Sequence, residues 1–218
     1  MSDSMKHLSN LFKKYNLGCG THLYPGYLNI GFWSHLGDDA IYKDLNGTQG
    51  TFMMNHDLRN GIPAEDDSLD LVYHSHMLEH LSYLDGISFI KECYRVLAPG
   101  GRMRVLVPDL EIWINAYTNK NEFFFEEYRK VLDPNIYVTP AAIFMGMLHN
   151  HGHECGYDFA SLKWLVEHAG FVNVKRTLYA DSTIEDILTI EPQMPLRVME
   201  SLCIECEKPL ETEASNGS

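Results

Sequence analysis

No run of apolar residues in this 218-residue chain reaches the roughly 18–20 that a membrane-spanning helix needs. Positive charge is also scarce. Seventeen Lys and Arg stand against thirty Asp and Glu, a formal net charge of −13. Binding to nucleic acid depends on neutralising phosphates with a surplus of basic side chains, so nucleic acid is not expected as a partner. Nor is an anionic membrane surface. Cysteine is sparse and odd in number, with Cys19, Cys93, Cys155, Cys203 and Cys206 scattered along the chain. That distribution excludes a disulfide framework and fits free thiols in a reducing compartment. Met1–Asn10 is polar and lacks the apolar centre of a secretory signal. A cytoplasmic protein is therefore expected. Internal repeats and low-complexity segments are absent, and no feature specifies an oligomeric state. At 45% hydrophobic residues, the composition predicts one globular domain over 1–210 with a sizeable core, followed by a frayed tail over 211–218.

Against this background Asn16–Leu17–Gly18–Cys19–Gly20 stands out. A short apolar run ends in two glycines one residue apart. Glycine tolerates positive φ and lets a ligand approach the backbone closely. At the carboxyl end of the first strand of an open α/β sheet, such a turn lies where nucleotide-like ligands bind. Taken alone the motif is weak.

The remaining pattern supplies strands over Tyr15–Leu17, Tyr27–Ile30, Thr51–Asn55, Leu69–His74, Arg102–Val107, Val172–Leu178 and Ser201–Glu207. Helices are predicted over part of Met1–Lys14, over Met77–Leu97 up to the terminator Pro99–Gly100–Gly101, and from Asp109, Asn121, Thr139 and Asp158 onward. Gly31–Gly50 reads as a long loop. Alternating strands and helices predict an α/β fold: a Rossmann-like, seven-stranded, mostly parallel sheet with helices on both faces. The interruption over 121–155 predicts a small helical cap.

In order, the signals are Asn16–Gly20, Pro25–Gly31, His56–Leu58, Leu78–Leu81, Glu92–Asp109 and Tyr157–Phe171. Together they resemble the class I S-adenosylmethionine-dependent methyltransferases. The narrower resemblance is to a small bacterial group, similar to type 11, that carries LNLGCG, HDL, LEHL and RVLxPGG motifs. The resemblance implies S-adenosyl-L-methionine as cofactor. It places Asn16, Gly18, Cys19 and Gly20 against the cofactor's amino-acid moiety. It implies that Asp57 accepts from the adenine amine and that the Leu58 N–H meets a ring nitrogen. His74 and Ser75 would line the cofactor with their backbone. Phe32 and Trp33 are open between an apolar wall for the adenine and core or loop packing. One departure concerns Gly31, which stands where the family has an acid that holds the ribose hydroxyls. Asp38, Asp39 or Asp44 could substitute, or backbone and water.

For the acceptor, the loop histidines His149, His151 and His153 are the first candidates, because an imidazole's ordinary pKa near ~6.5 suits a general base. His76 and His80 come second, and Glu79 suits the positive end of a helix. The expected activity is methyl transfer to the oxygen or nitrogen of a small-molecule or carbohydrate-like acceptor. Two alternatives stand beside it: a non-catalytic binding module of the same fold, and a metal-binding variant using the His149–His153 loop. No metal ligand set is assigned, since a fourth ligand is not specified. Cys203 and Cys206 sit three apart on a strand and point to opposite faces, so a structural role is expected. Arg102 and Arg104 share a strand face, where salt bridges and substrate contact are both open.

Overall fold

The computed structural model describes residues 11–44 and 49–210. The helix predicted within Met1–Lys14 falls mostly outside them, as does the tail. Among the described residues, eight strands form one sheet: β1 (Lys14–Leu17), β2 (Leu28–Gly31), β3 (Ile41–Lys43), β4 (Phe52–Asn55), β5 (Leu69–Ser75), β6 (Leu97–Pro108), β7 (Val172–Thr177) and β8 (Ser201–Glu207). Their spatial order is β3-β4-β2-β1-β5-β6-β8-β7. β3 runs antiparallel to β4, β8 runs antiparallel to both β6 and β7, and the other pairs are parallel. The sequence predicts seven strands. The eighth is β3, inside the segment read as a loop, and it extends the edge by pairing Tyr42 with Met53. Its three residues are half-exposed or exposed, so it lacks the apolar alternation that reveals a buried strand.

Seven α-helices are described: α1 (Tyr83–Val96), α2 (Leu110–Thr118), α3 (Glu122–Arg129), α4 (Pro140–His149), α5 (Phe159–His168), α6 (Ile187–Ile190) and α7 (Pro195–Glu200). α1 begins later than predicted. Leu78–His80 forms a separate 3-10 turn, and Ser82 then caps α1 by accepting from the Asp85 N–H at 3.2 Å. Leu97 onward is already strand, so Pro99–Gly100–Gly101 lies within β6.

Helices do not cover both sheet faces evenly. On one face, Phe89, Ile90 and Cys93 of α1 and Leu162, Leu165 and Val166 of α5 pack on the main core. The other face departs from the prediction. Parallel strands are usually joined through a helix, yet the described connection from β1 to β2 contains none. The sheet side chains beneath that connection are Asn16 and Asn29, both buried. Asn16 donates to Asn29 Oδ1 and to the His22 carbonyl, each at 2.9 Å. Asn29 accepts the Tyr24 N–H at 2.9 Å and donates to the Tyr24 carbonyl at 3.1 Å. A loop on a sheet has backbone groups to satisfy, and the two asparagines satisfy them. Beside this pair, Ile184, Ile187 and Ile190 cover Tyr27, Leu71, Tyr73 and Leu106.

Arg104 fixes that covering segment. It is fully buried and donates to Glu191 through Nε at 2.5 Å and Nη2 at 2.6 Å, and to Glu205 at 2.9 Å. Arg102 donates to Thr183 Oγ1 at 2.7 Å. Both arginines therefore brace the fold. Cys203 and Cys206 are buried in different core groups on opposite faces. A third apolar group, with Trp113, Phe124, Phe125, Tyr128 and Ile143 buried, joins α2, α3 and α4. This helical layer follows the carboxyl end of β6, where Asp109 caps α2 by accepting the Glu111 N–H at 3.0 Å.

Candidate functional site

The carboxyl ends of β1, β2, β4 and β5 converge on the glycine turn. Gly18 and Gly20 hold φ of +67° and +48°, and the Cys19 N–H donates to the Ile30 carbonyl at 2.9 Å. A Cβ on Gly18 would stand 2.0 Å from Met77 Cγ, whereas one on Gly20 would meet nothing within 4 Å. Cys19 is buried beside Leu23 and Met53, and burial pushes its thiol up to about 12. It fills space and offers no thiolate.

Two cavities meet at this turn, and a third adjoins them. One of about 360 Å³ is bordered by Gly18, Gly31, Phe32, Asp57 and Leu58. A second, of about 250 Å³, is bordered by Asn16, Gly20, Ser75, His76 and Arg197. The third, of about 750 Å³, lies under the helical layer. Gly18 and Gly20 border the first two, His80 borders the first and third, and His76 and Arg197 border the second and third.

Of the residues expected at the cofactor, His74 stands apart. Its ring is fully buried edge-on to Phe89 at 5.2 Å and borders none of the three cavities. Burial pushes it down to about 3. Asp57 caps the turn Leu58–Asn60 and pairs with Arg59 at 2.6 Å, which holds its carboxyl below the usual range. Phe32 is half-exposed at the cavity mouth. Gly31 lies under Trp33, with Trp33 Cζ3 standing 2.6 Å from where a Gly31 Cβ would be. The loop carrying Trp33 is held by Asn55, buried at the end of β4. Asn55 accepts the Trp33 N–H at 2.7 Å and donates to the carbonyls of Leu36 and Gly37. Asp39 is taken by His56 at 2.6 Å and Asp44 by the Gly50 N–H at 2.6 Å, and Asp38 borders none of the cavities.

The histidines divide. His149 is the exposed last residue of α4 and does not border the large cavity, while His76, His80, His151 and His153 do. His76 adopts a left-handed φ of +51°, which turns the chain out of β5. Its Nε2 lies 2.8 Å from Ser201 Oγ and its Nδ1 lies 3.3 Å from Glu79 Oε1, and burial pushes it down to about 3. Glu79 is 1% exposed, and neither carboxylate oxygen has a hydrogen-bond partner. Burial pushes its carboxyl up and pushes the half-buried His80 down. The rings of His80 and His153 meet at 4.6 Å, and His153 Nδ1 lies 2.6 Å from the Met147 carbonyl.

Sequence reasoning missed Trp113, Tyr128, Met194, Arg197 and Glu200, all bordering the large cavity. Tyr128 donates to Glu200, which together with burial pushes the phenol up. Nothing in the local pattern marks 179–200 as part of a site. Its two helices have four and six residues, too few for helical periodicity to show.

Residues 15–105, from β1 into β6, match the profile of a family described as a methyltransferase domain. This stretch, under half of the chain, is similar to a methyltransferase domain. The protein is accordingly an enzyme, and its cofactor is S-adenosylmethionine. The chain is similar in fold to an S-adenosylmethionine-dependent methyltransferase from Archaeoglobus fulgidus, with 17% identity, 93% of this chain and 90% of that one covered, and a TM-score of 0.50. It is similar to one from Thermotoga maritima described as a possible histamine N-methyltransferase, with 15% identity, coverage of 90% and 81%, and a TM-score of 0.53. A third is a Haloferax volcanii methyltransferase solved with its Trm112 activator, with 13% identity, coverage of 90% and 81%, and a TM-score of 0.50. At these identities the likeness is one of fold. No curated protein matches the chain. No helix among the described residues is long and apolar enough to cross a membrane.

Proposed function

We propose that the protein transfers a methyl group from S-adenosylmethionine to a hydroxyl or amine of a small-molecule or carbohydrate-like acceptor. The observation that carries this reading is that the three cavities are neighbours, sharing Gly18, Gly20, His76 and His80 among their lining residues. Cofactor occupies the two smaller spaces and the acceptor occupies the 750 Å³ space. That volume lies within the 300–1,000 Å³ typical of small-ligand pockets. Its border mixes apolar side chains such as Trp113, Ile143 and Met147 with polar groups such as Asn150 and Glu200. The Arg197 guanidinium, bordering the Gly20 space, holds the cofactor's carboxylate.

The sulfonium already activates the methyl group, so the protein mainly aligns acceptor, carbon and sulfur. The acceptor's lone pair forms the new bond to the methyl carbon. The carbon–sulfur pair stays on sulfur, giving a neutral thioether, and the acceptor's proton leaves to a facing imidazole or to water. His76, His80, His151 and His153 are the acceptor-facing set. With the ribose acid absent at Gly31, backbone and water meet the diol beneath the Trp33 ring.

Calorimetry with the demethylated cofactor, followed by methyl transfer from labelled cofactor to a panel of sugars and amines, tests the reading. The wild type binds and Gly18→Arg does not. A wild type that leaves the cofactor unbound, or that binds it and methylates no small acceptor, overturns it.

A further inference from the structure

Glu79 presents a problem that the methyl-transfer reading does not solve. A carboxylate with 1% exposure, no hydrogen-bond partner for either oxygen and His76 Nδ1 standing 3.3 Å from Oε1 is costly to bury in its charged form. Its surroundings nevertheless hold it in place. The N–H groups of Glu154 and Cys155 both donate to the Glu79 carbonyl, at 2.8 and 3.1 Å. These bonds dock the segment carrying His153 onto the turn carrying Glu79 and His80. As a result, one ligand atom from each of Glu79, His80 and His153 lies within 4.8 Å of the others.

The orientation of His153 adds an independent observation. Its Nδ1 lies 2.6 Å from the Met147 carbonyl. A carbonyl only accepts, so Nδ1 carries a proton, and in the neutral ring Nε2 keeps its lone pair. A carbonyl holding one ring nitrogen while the other faces a site is how proteins orient metal-ligating histidines.

We infer that Glu79, His80 and His153 form a site for a divalent first-row transition-metal ion at the junction of the cofactor and acceptor cavities. Two imidazoles and one carboxylate suit zinc or ferrous ion and leave positions free for an exogenous ligand. The ion neutralises the Glu79 charge and draws the three donors inward, toward the separation of about 3.3 Å expected for bond lengths near ~2.0 Å. His80 is half-buried and borders the cavity. The set differs from the one suggested by the alternating loop histidines: His149 is outside it, and Glu79 and His80 come from the turn after β5. Glu79, His80 and His153 all border the 750 Å³ cavity, so a free coordination position would open toward it. The role of the ion rests on the proposed methyl transfer: it binds the acceptor's oxygen or nitrogen and fixes it opposite the methyl group. His80 and His153 then act by holding the ion.

The test uses the full chain stripped with chelator and titrated with zinc and with cobalt, alongside titration with the demethylated cofactor. One ion binds per chain, and cobalt develops the intense visible bands of a low-coordinate nitrogen–oxygen site. Glu79→Gln and His153→Ala each weaken zinc binding at least about tenfold and still bind the cofactor product, which shows that they fold. The surface control His149→Ala leaves zinc binding unchanged. Absence of stoichiometric uptake by the wild type overturns the site, as does a loss on His149→Ala equal to that on His153→Ala. Cofactor binding without zinc binding removes only this site. Zinc binding without cofactor binding removes the methyl-transfer reading instead.

Discussion

The indole of Trp33 lies over Gly31, with its Cζ3 2.6 Å and its Cη2 2.7 Å from the point a Gly31 Cβ would occupy. The residue at the end of β2 is therefore glycine because the aromatic ring two positions on takes the space. An acidic side chain could not be accommodated there with Trp33 in place.

Gly31→Ala is accordingly expected to destabilise the protein by about 1–3 kcal/mol through overpacking. In a Trp33→Ala background the same change should cost markedly less, since the two residues share one volume. A double-mutant cycle by chemical denaturation measures the difference. Equal costs in both backgrounds would separate Gly31 from Trp33.

The two turn glycines are expected to respond differently. At Gly20 an added methyl meets open space, so Gly20→Ala carries only the cost of a left-handed backbone, about 1–2 kcal/mol. At Gly18 the methyl also strikes the Met77 side chain. Gly18→Ala should lower affinity for the cofactor product more than Gly20→Ala does, with part of the loss restored by Met77→Ala. Calorimetric titration of the three variants decides this.

The Arg104–Glu191 pair is wholly buried. Arg104→Met alone should cost about 3–5 kcal/mol, because it leaves Glu191 as an uncompensated buried charge. Arg104→Met with Glu191→Leu should recover much of that loss. Urea melts of the single and double variants provide the check.

Glu92 accepts from Arg95 at 2.7 and 2.8 Å and from the Ile62 N–H at 3.0 Å. Arg95 also reaches the Ile62 and Ala64 carbonyls, so the pair staples 62–64 to α1. The Arg95 hydrogen bonds hold the Glu92 carboxyl below its usual value. A carboxylate lowered in the folded state contributes stability above its unfolded pKa, about 4.3, and loses it as pH falls through the folded value. Glu92→Gln should thus cost about 1–2 kcal/mol at neutral pH. That penalty should shrink toward zero as the pH is lowered beneath the ordinary glutamate range, as thermal melts across pH would show.

What the sequence determined by itself was local. The apolar runs ending before Gly18 and at Asn55 and His74 place strand ends to within a residue, and Asp109 and Asp158 cap helices, because capping depends on residues two or three apart. The Glu92–Arg95 staple likewise lies within one helical turn. Tertiary structure decided what depends on distant parts of the chain. β3 owes its pairing to β4 and has no apolar alternation of its own. Arg104 meets Glu191 across 87 residues, which made the arginine's role undecidable from spacing. The same holds for the histidines. In sequence His149, His151 and His153 form one alternating set. In the fold, the two bonds from Glu154 and Cys155 to the Glu79 carbonyl join His153 to Glu79 and His80 and leave His149 outside. Side-chain grouping at a site is set by which backbone segments dock together, and docking is a property of the folded chain.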